Sequence, residues 1–215
     1  MTAAPFGPAE FRTAANVSRE TTERLADFVA LLTDWNGRHN LVSRASLGDV
    51  WRRHIWDCAQ LVEWIPLSAG SLVDLGSGAG FPGLVLALLL RDRAAFRTVL
   101  FEATRKKAEF LAAAASRLGI AVEIRNARVE GAAPEPFDIV TARACAPLSR
   151  LLEYALGFQS PRTINLFLKG QNVGDELTEA RKIWKMTVQE KPSHTAVSGV
   201  ILLIGDLHPE RKVRR

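Results

Sequence analysis

Ten consecutive residues concentrate the chemistry on offer: Asp74-Leu75-Gly76-Ser77-Gly78-Ala79-Gly80-Phe81-Pro82-Gly83. Four glycines within eight residues, Gly76, Gly78, Gly80 and Gly83, let a chain turn tightly and let a ligand approach bare backbone. A short apolar run, 72–75, precedes them, and an Ala/Leu-rich helical stretch, 83–91, follows. The loop is therefore expected between a strand and a helix N-terminus, where backbone N–H groups are available to a ligand. A second acid, Glu102, stands nineteen residues after Gly83 at the end of a strand-like run, 98–101. Gly78, Gly80 and Gly83 satisfy G-x-G-x-x-G. With Glu102 as the ribose-binding acid, that pattern would make a dinucleotide site and an NAD-dependent oxidoreductase.

The elements that must hold this loop can be read from hydrophobic period. Residues 9–35 are predicted helical, with Leu25, Phe28, Val29, Leu31 and Leu32 on one stripe and Gly37 as the stop. A second helix is predicted over 46–64, capped by Ser46 and ended by Pro66. From residue 71 the rhythm changes. Strand-like runs at 72–75, 98–101, 120–124, 137–141 and 164–168 alternate with helical runs at 83–91, 106–118, 148–156 and 174–180, and two more strand-like runs follow at 184–189 and 200–204. Such alternation implies an α/β fold, a doubly wound, mostly parallel sheet covered on both faces. The expected organisation is a small helical N-terminal region, 1–69, followed by a sheet domain, 70–215.

Composition narrows the class. The chain has 215 residues, 47% of them hydrophobic and 24% charged, which excludes disordered and fibrous proteins. Two cysteines, Cys58 and Cys145, exclude a disulfide scaffold and a four-cysteine zinc site, and no metal is expected. The longest apolar run, 84–90, is far short of the roughly 20 residues a membrane span needs, and no leader is visible, so a cytoplasmic protein with no membrane partner is expected. The net charge is +5, and residues 181–215 carry all of it. A basic segment on a neutral body suggests a polyanion, with Lys182, Lys185, Arg211, Lys212, Arg214 and Arg215 as candidates to track phosphates.

An acid at a strand end followed by Gly-x-Gly-x-Gly resembles motif I of the class I S-adenosylmethionine-dependent methyltransferases, which are Rossmann-like. Further pieces are similar to one family among them. They are Leu31 to Asn36, Asn40 to Ser43, Arg53-His54-Ile55 with Asp57-Cys58, and the loop ending Gly-Phe-Pro-Gly. Glu102-Ala103, Lys106-Lys107, Phe110-Leu111, Asn126 to Glu130, Thr141 to Ala144 with Pro147-Leu148, and Leu168-Lys169-Gly170 complete the set. In order and spacing, over about residues 25–205, the chain resembles the bacterial 16S ribosomal RNA guanine-N7 methyltransferases, also known as glucose-inhibited division protein B. The resemblance implies that Asp74, Gly76, Gly78 and Phe81 bind S-adenosyl-L-methionine, that Glu102 holds its ribose, and that Val129 and Glu130 flank its adenine. It implies that Arg143 lines the cofactor pocket, and that Lys169 and His54, with Asn40 and Arg53, face the RNA or support catalysis. The implied partner is 16S rRNA or the small ribosomal subunit, and a monomer is expected. The family pattern is departed from at Cys58, where a small hydroxyl is usual, and at Ala79, where proline is common.

The absence of an acid–base constellation fits that chemistry. Guanine N7 carries a lone pair and no proton, so positioning donor and acceptor can carry the reaction. N7 lies in the deep major groove of an A-form helix, so the target must be looped or splayed out. Rival readings are methylation of a pyrimidine carbon-5 through Cys145, the oxidoreductase, and an inert RNA-binding assembly factor.

Overall fold

The computed structural model describes residues 6–210. The chain runs α1 (Pro8–Ala14), α2 (Arg19–His39), α3 (Arg44–Leu47), a π-helical turn (Trp51–Trp56), α4 (Asp57–Ala59) and a 3-10 turn (Gln60–Trp64). It continues as β1 (Ser71–Leu75), α5 (Gly83–Leu89), β2 (Arg97–Phe101), α6 (Arg105–Leu118) and β3 (Glu123–Arg125). Then come β4 (Ile139–Arg143), α7 (Leu148–Ala155), β5 (Ile164–Lys169), α8 (Val173–Ala180), β6 (Trp184–Pro192) and β7 (Val200–Pro209).

The seven strands form one sheet in the order β3-β2-β1-β4-β5-β7-β6. β1 to β5 are parallel, β7 is antiparallel to β5, and β6 is antiparallel to β7, so β7 alone runs against the rest. Alternate residues of the buried strands serve two cores. On one face Leu72, Leu100, Ile139 and Leu166 meet α5, α6 and the N-terminal helices. On the other, Val73, Val99, Val140 and Phe167 meet Leu148, Leu151 and Leu152 of α7 and Leu177 of α8. The doubly wound, mostly parallel fold follows from this two-sided burial.

The described helical region before β1, residues 6–69, shares a core with the sheet. Phe28 of α2 contacts both Phe81 and Phe110, with ring centroids 5.5 and 6.2 Å apart. The Arg24 guanidinium donates to the carbonyl of Leu118 at the end of α6. β1 begins at Ser71, and one core is continuous across the 69/70 boundary expected from the sequence.

Four local expectations need correction. The single helix over 9–35 is two, because Asn16 turns left-handed at φ 48° and Ser18 caps α2 by accepting from the Thr21 N–H. Gly37 does not stop α2: the helix runs to His39 and ends at Asn40, φ 45°, while the Asn36 side chain accepts from the Val42 N–H. Ser43, not Ser46, caps the next helix, accepting from the Ser46 N–H at 3.1 Å. The helix expected over 46–64 is a relay of turn types, and its π-helical segment rotates Trp51, His54 and Ile55 into the interior together.

The charge expectation also changes in space. β7 carries the chain from Val200, beside Lys169 at the C-terminal edge of the sheet, to Pro209 at the opposite edge. Lys182 and Lys185 lie at that opposite edge, ion-paired with Glu179 and Glu210. They stand away from the glycine loop, and Arg211 to Arg215 lie outside the described residues. Among the described residues, no helix is long and apolar enough to cross a membrane.

Candidate active site

A cavity of about 1000 Å³ opens at the C-terminal edge of the sheet. Open α/β sheets bind ligands there, where strand ends and helix N-termini converge. One wall is the glycine loop with Glu102. The opposite wall comes from residues 41–57 and from the β6–β7 tip, including Ser193, Thr195 and Gly199. The floor carries Arg143, Cys145, Lys169 and Glu176.

The loop holds its shape through left-handed glycines at Gly76, Gly78 and Gly80 and a buried brace beneath Gly83. Gly76 adopts φ +68°, and a Cβ there would lie 2.7 Å from the Cys145 sulfur. Gly83 has ordinary dihedrals, yet a Cβ would collide with Leu100 and come 2.7 Å from Asp74 Oδ2. Asp74 is therefore under the loop rather than in the cavity. Its carboxylate is fully buried, accepting from the Gly83 N–H at 3.2 Å and the Thr141 hydroxyl at 2.8 Å. The expectation that Asp74 binds S-adenosylmethionine is replaced by a brace, because the side chain lies outside the cavity lining and points across the sheet to β4.

Burial pushes the Asp74 carboxyl up to about 6, opposed by those hydrogen bonds and by the charge of Arg143. A raised acid binds its proton more tightly in the native state than in the unfolded chain. Its contribution to stability is full below about pH 3.8 and is lost as pH rises through about 6. Asp74→Asn keeps an acceptor for Gly83 and cannot ionise. The stability difference between wild type and Asp74→Asn should shift by about 2 kcal/mol in favour of asparagine between pH 4 and pH 8, measured by urea denaturation. A pH-independent difference would place the ionisation elsewhere.

Glu102 does reach the cavity, though 94% of it is covered. One carboxylate oxygen accepts from the Gly78 N–H at 2.9 Å and the other from the Thr104 N–H at 2.7 Å. The acid thereby ties the loop to the end of β2. Phe81 lines the cavity too, with His54 stacked on its ring at 4.8 Å and the Arg143 guanidinium over it at 4.9 Å. Val129 and Glu130 sit in a short 3-10 turn outside this lining, where Glu130 accepts from the Tyr154 hydroxyl.

Arg143 and His54, 89 positions apart, meet here. Arg143 donates to His54 Nδ1 at 2.7 Å and to the carbonyl of Arg53 at 3.0 Å, and lies 3.6 Å from Asp57. A guanidinium can only donate, so Nδ1 is the acceptor and the proton of the neutral ring is on Nε2. Burial, then the charges of Arg143 and Arg53, lower the imidazole to about 3. His54 is thus a neutral, stacked spacer at neutral pH and no proton shuttle. Its Nε2 is buried without a partner among the described residues.

Asp57 extends the network. Its carboxylate accepts from the Thr195 hydroxyl at 2.6 Å and the Gln60 amide at 3.1 Å, while the Gln60 carbonyl oxygen accepts from the His194 N–H. The helical region, the end of β4 and the β6–β7 tip are locked at one carboxylate. Asp57 stands in a quoted motif, but its partners lie up to 138 positions away and left no local signal. Glu176 was missed altogether, since an acid in the first turn of α8 reads as a dipole complement. The tryptophans pack: Trp51 on Phe11, Trp35 on Phe110, and Trp56 on Phe11 and His194.

Comparison with known proteins shows the fold and the family. Similar solved structures include a SAM-dependent methyltransferase from Aquifex aeolicus, TM-score 0.57 at 16% identity over 74% of this chain and 95% of that one. Another is an O-methyltransferase from Bacillus cereus in complex with SAH, TM-score 0.58 at 17% identity over 83% and 90%. At such identities they show the fold, that of the Rossmann-like class I methyltransferases. Closer relatives are two proteins named ribosomal RNA small subunit methyltransferase G. That of Parvibaculum lavamentivorans is 46% identical over 92% of this chain and 88% of its own. That of Rhodospirillum centenum is 46% identical over 97% and 95%. A family model described as rRNA small subunit methyltransferase G matches residues 21–201, and the chain belongs to that family.

Proposed function

We propose that this protein transfers the methyl group of S-adenosyl-L-methionine to N7 of a guanosine in 16S rRNA of the small ribosomal subunit. One observation carries the reading: a single cavity joins a glycine cradle with a ribose-directed acid to a polar chamber large enough for a second ring system. The residues present fit the donor. Gly76 and Gly78 line the cavity with bare backbone, Gly76 packing too close to Cys145 for any side chain, and Glu102 stands where a carboxylate can meet ribose hydroxyls. Val129 and Glu130 would approach the adenine from the turn after β3. When bound, S-adenosylmethionine supplies an electrophilic methyl: its carbon–sulfur bond breaks as the N7 lone pair forms the new bond, leaving a thioether and a cationic 7-methylguanine.

N7 has no proton to lose, so the chain needs no general base, and a neutral His54 is no obstacle. Arg143, His54 and Phe81 form a stacked wall that positions the reactants and excludes water. Effective positioning of this kind is worth several kcal/mol. Arg53, Lys107 and Lys169 place positive charge around the cavity, where RNA phosphates and the base must enter. The protein acts in the cytoplasm as a monomer; its large exposed apolar residues, Leu67, Leu156, Ile183 and Val197, are scattered over different segments.

The test is methyl transfer from labelled donor to 16S rRNA, supplied naked and as small subunits from cells lacking this protein, with products mapped by nuclease digestion and mass spectrometry. A single 7-methylguanosine is expected. A methylated cytosine would overturn the assignment and favour attack by Cys145. The surroundings of Cys145 argue against such attack: burial and the carboxylates of Asp74, Glu102 and Glu130 push its thiol up, away from the nucleophilic thiolate. Cys145→Ser should accordingly retain methyl transfer within about 10-fold, since no covalent adduct is required. Complete loss in a folded, cofactor-binding variant would refute this.

A further inference from the structure

Lys169 ends β5 and Glu176 lies one turn into α8, and the two meet on the cavity floor. The Lys169 ammonium contacts Glu176 Oε2 at 2.6 Å and donates to the carbonyl of Ala146 at 3.3 Å. The same Oε2 accepts from the Leu148 N–H at 2.6 Å, satisfying a free donor in the first turn of α7. One carboxylate oxygen is thus fixed by two donors. The other, Oε1, takes no partner among the described residues, and the side chain stays 26% exposed in the cavity wall. Lys169 likewise has a third N–H beyond its two partners. Held together in this way, the pair offers the cavity one donor beside one acceptor.

We propose that Lys169 and Glu176 read the acceptor base, the ammonium donating to O6 of guanine and Glu176 Oε1 accepting from its N1–H. The proposal rests on the N7-guanosine reading above and deepens it. Only purines possess N7, so the specificity problem at this atom is guanine against adenine. Guanine presents an acceptor, O6, beside a donor, N1–H. Adenine presents the reverse, an amine beside a bare N1. An ammonium fixed next to a carboxylate complements the first edge at both atoms and opposes the second at both. N1 lies across the ring system from the imidazole, so a base gripped by this edge leaves N7 open to the donor side. Flipped or splayed bases are commonly read on this edge.

The test uses 16S rRNA with the mapped guanosine replaced, by splinted ligation, by inosine or by 2,6-diaminopurine. Inosine keeps O6, N1–H and N7. 2,6-Diaminopurine keeps N7 and the 2-amine and inverts the other two groups. Wild type should methylate inosine within about 5-fold of guanosine and disfavour 2,6-diaminopurine by about 100-fold in kcat/KM. In Glu176→Gln the amide oxygen can keep Lys169 and Leu148 while its NH2 turns to the cavity, so an acceptor becomes a donor. That variant should compress the guanosine to 2,6-diaminopurine ratio to below about 10 while binding the cofactor as wild type does. A purely structural role for Glu176 would lower all three rates together and leave the ratios alone, which would overturn the proposal. Equal wild-type rates on guanosine and 2,6-diaminopurine would overturn it even if the variant failed to fold. Absence of 7-methylguanosine with guanosine in place would instead sink the functional reading itself.

Discussion

Arg143→Ala is expected to lower the melting temperature by about 6–12 °C and to cut kcat/KM by at least about 100-fold. The side chain is only 16% exposed and serves three partners at once: the Arg53 carbonyl, His54 Nδ1 and the Asp57 carboxylate. Truncation leaves a largely buried carboxylate without its cation, and breaking such a pair costs about 3 kcal/mol or more. It also uncovers the Phe81 ring, so the wall of the cavity loses its fixed position. Arg143→Lys should recover less than half of either loss, because a compact ammonium cannot span acceptors spread around a planar guanidinium or stack its face on Phe81. An imidazole titration by NMR separates this account from a general packing defect. With the neighbouring cation gone, the His54 pKa should climb from about 3 toward its ordinary 6.5. An unmoved His54 in a folded Arg143→Ala would contradict the network.

Gly83→Ala should be strongly damaging for a single added methyl group. Its dihedrals would accept alanine, so any harm comes from space. The added carbon would strike Leu100 and Asp74, both fully buried on neighbouring strands, and neither has room to retreat. Overpacking of this kind costs about 1–3 kcal/mol, and displacing Asp74 from the Gly83 N–H and the Thr141 hydroxyl adds about 1–3 kcal/mol more. Because Asp74 sets the height of the glycine loop, binding of S-adenosylhomocysteine should weaken at least about 100-fold by calorimetry. Gly131→Ala is the matched control. A Cβ there meets nothing within 4 Å, and stability should change by no more than about 0.5 kcal/mol. Equal tolerance at both positions would refute the brace.

The alternation of elements was legible because the strands are buried on both faces and read as short aliphatic runs between glycine-marked turns. The loop and Glu102 were legible for a related reason: their backbone requirements are local, whereas Arg143, whose partners lie 89 and 90 positions away, came only from the family resemblance. What failed was information that exists only across space. Asp74 looks like a ligand for something outside the protein until Thr141, 67 positions on, arrives across the sheet to share it. The basic run from residue 181 looks like one patch. A ten-residue strand then runs from the cavity edge to the opposite edge, where Lys185 stands out of reach of the cavity. Gly37 looks like a helix stop, yet its missing side chain costs α2 nothing that Asn40 and the Asn36 amide do not make good.

Joining residue 57 to residue 195 at one carboxylate also governs when the molecule can be completed. The first 60 residues leave the ribosome with Phe11, Leu25, Phe28 and Leu32 needing partners such as Phe110, which has not been synthesised. At about 5–20 residues per second, the 138 positions between Asp57 and Thr195 take about 7–28 s to translate. Until partners such as Phe110 emerge within that interval, the nascent helices are apolar surface without a core, a substrate for chaperones before they are part of an enzyme. The last hairpin to emerge is the one that closes the Asp57 network, so a chain stalled or cut before the β6–β7 tip has a fold to approach but no latch.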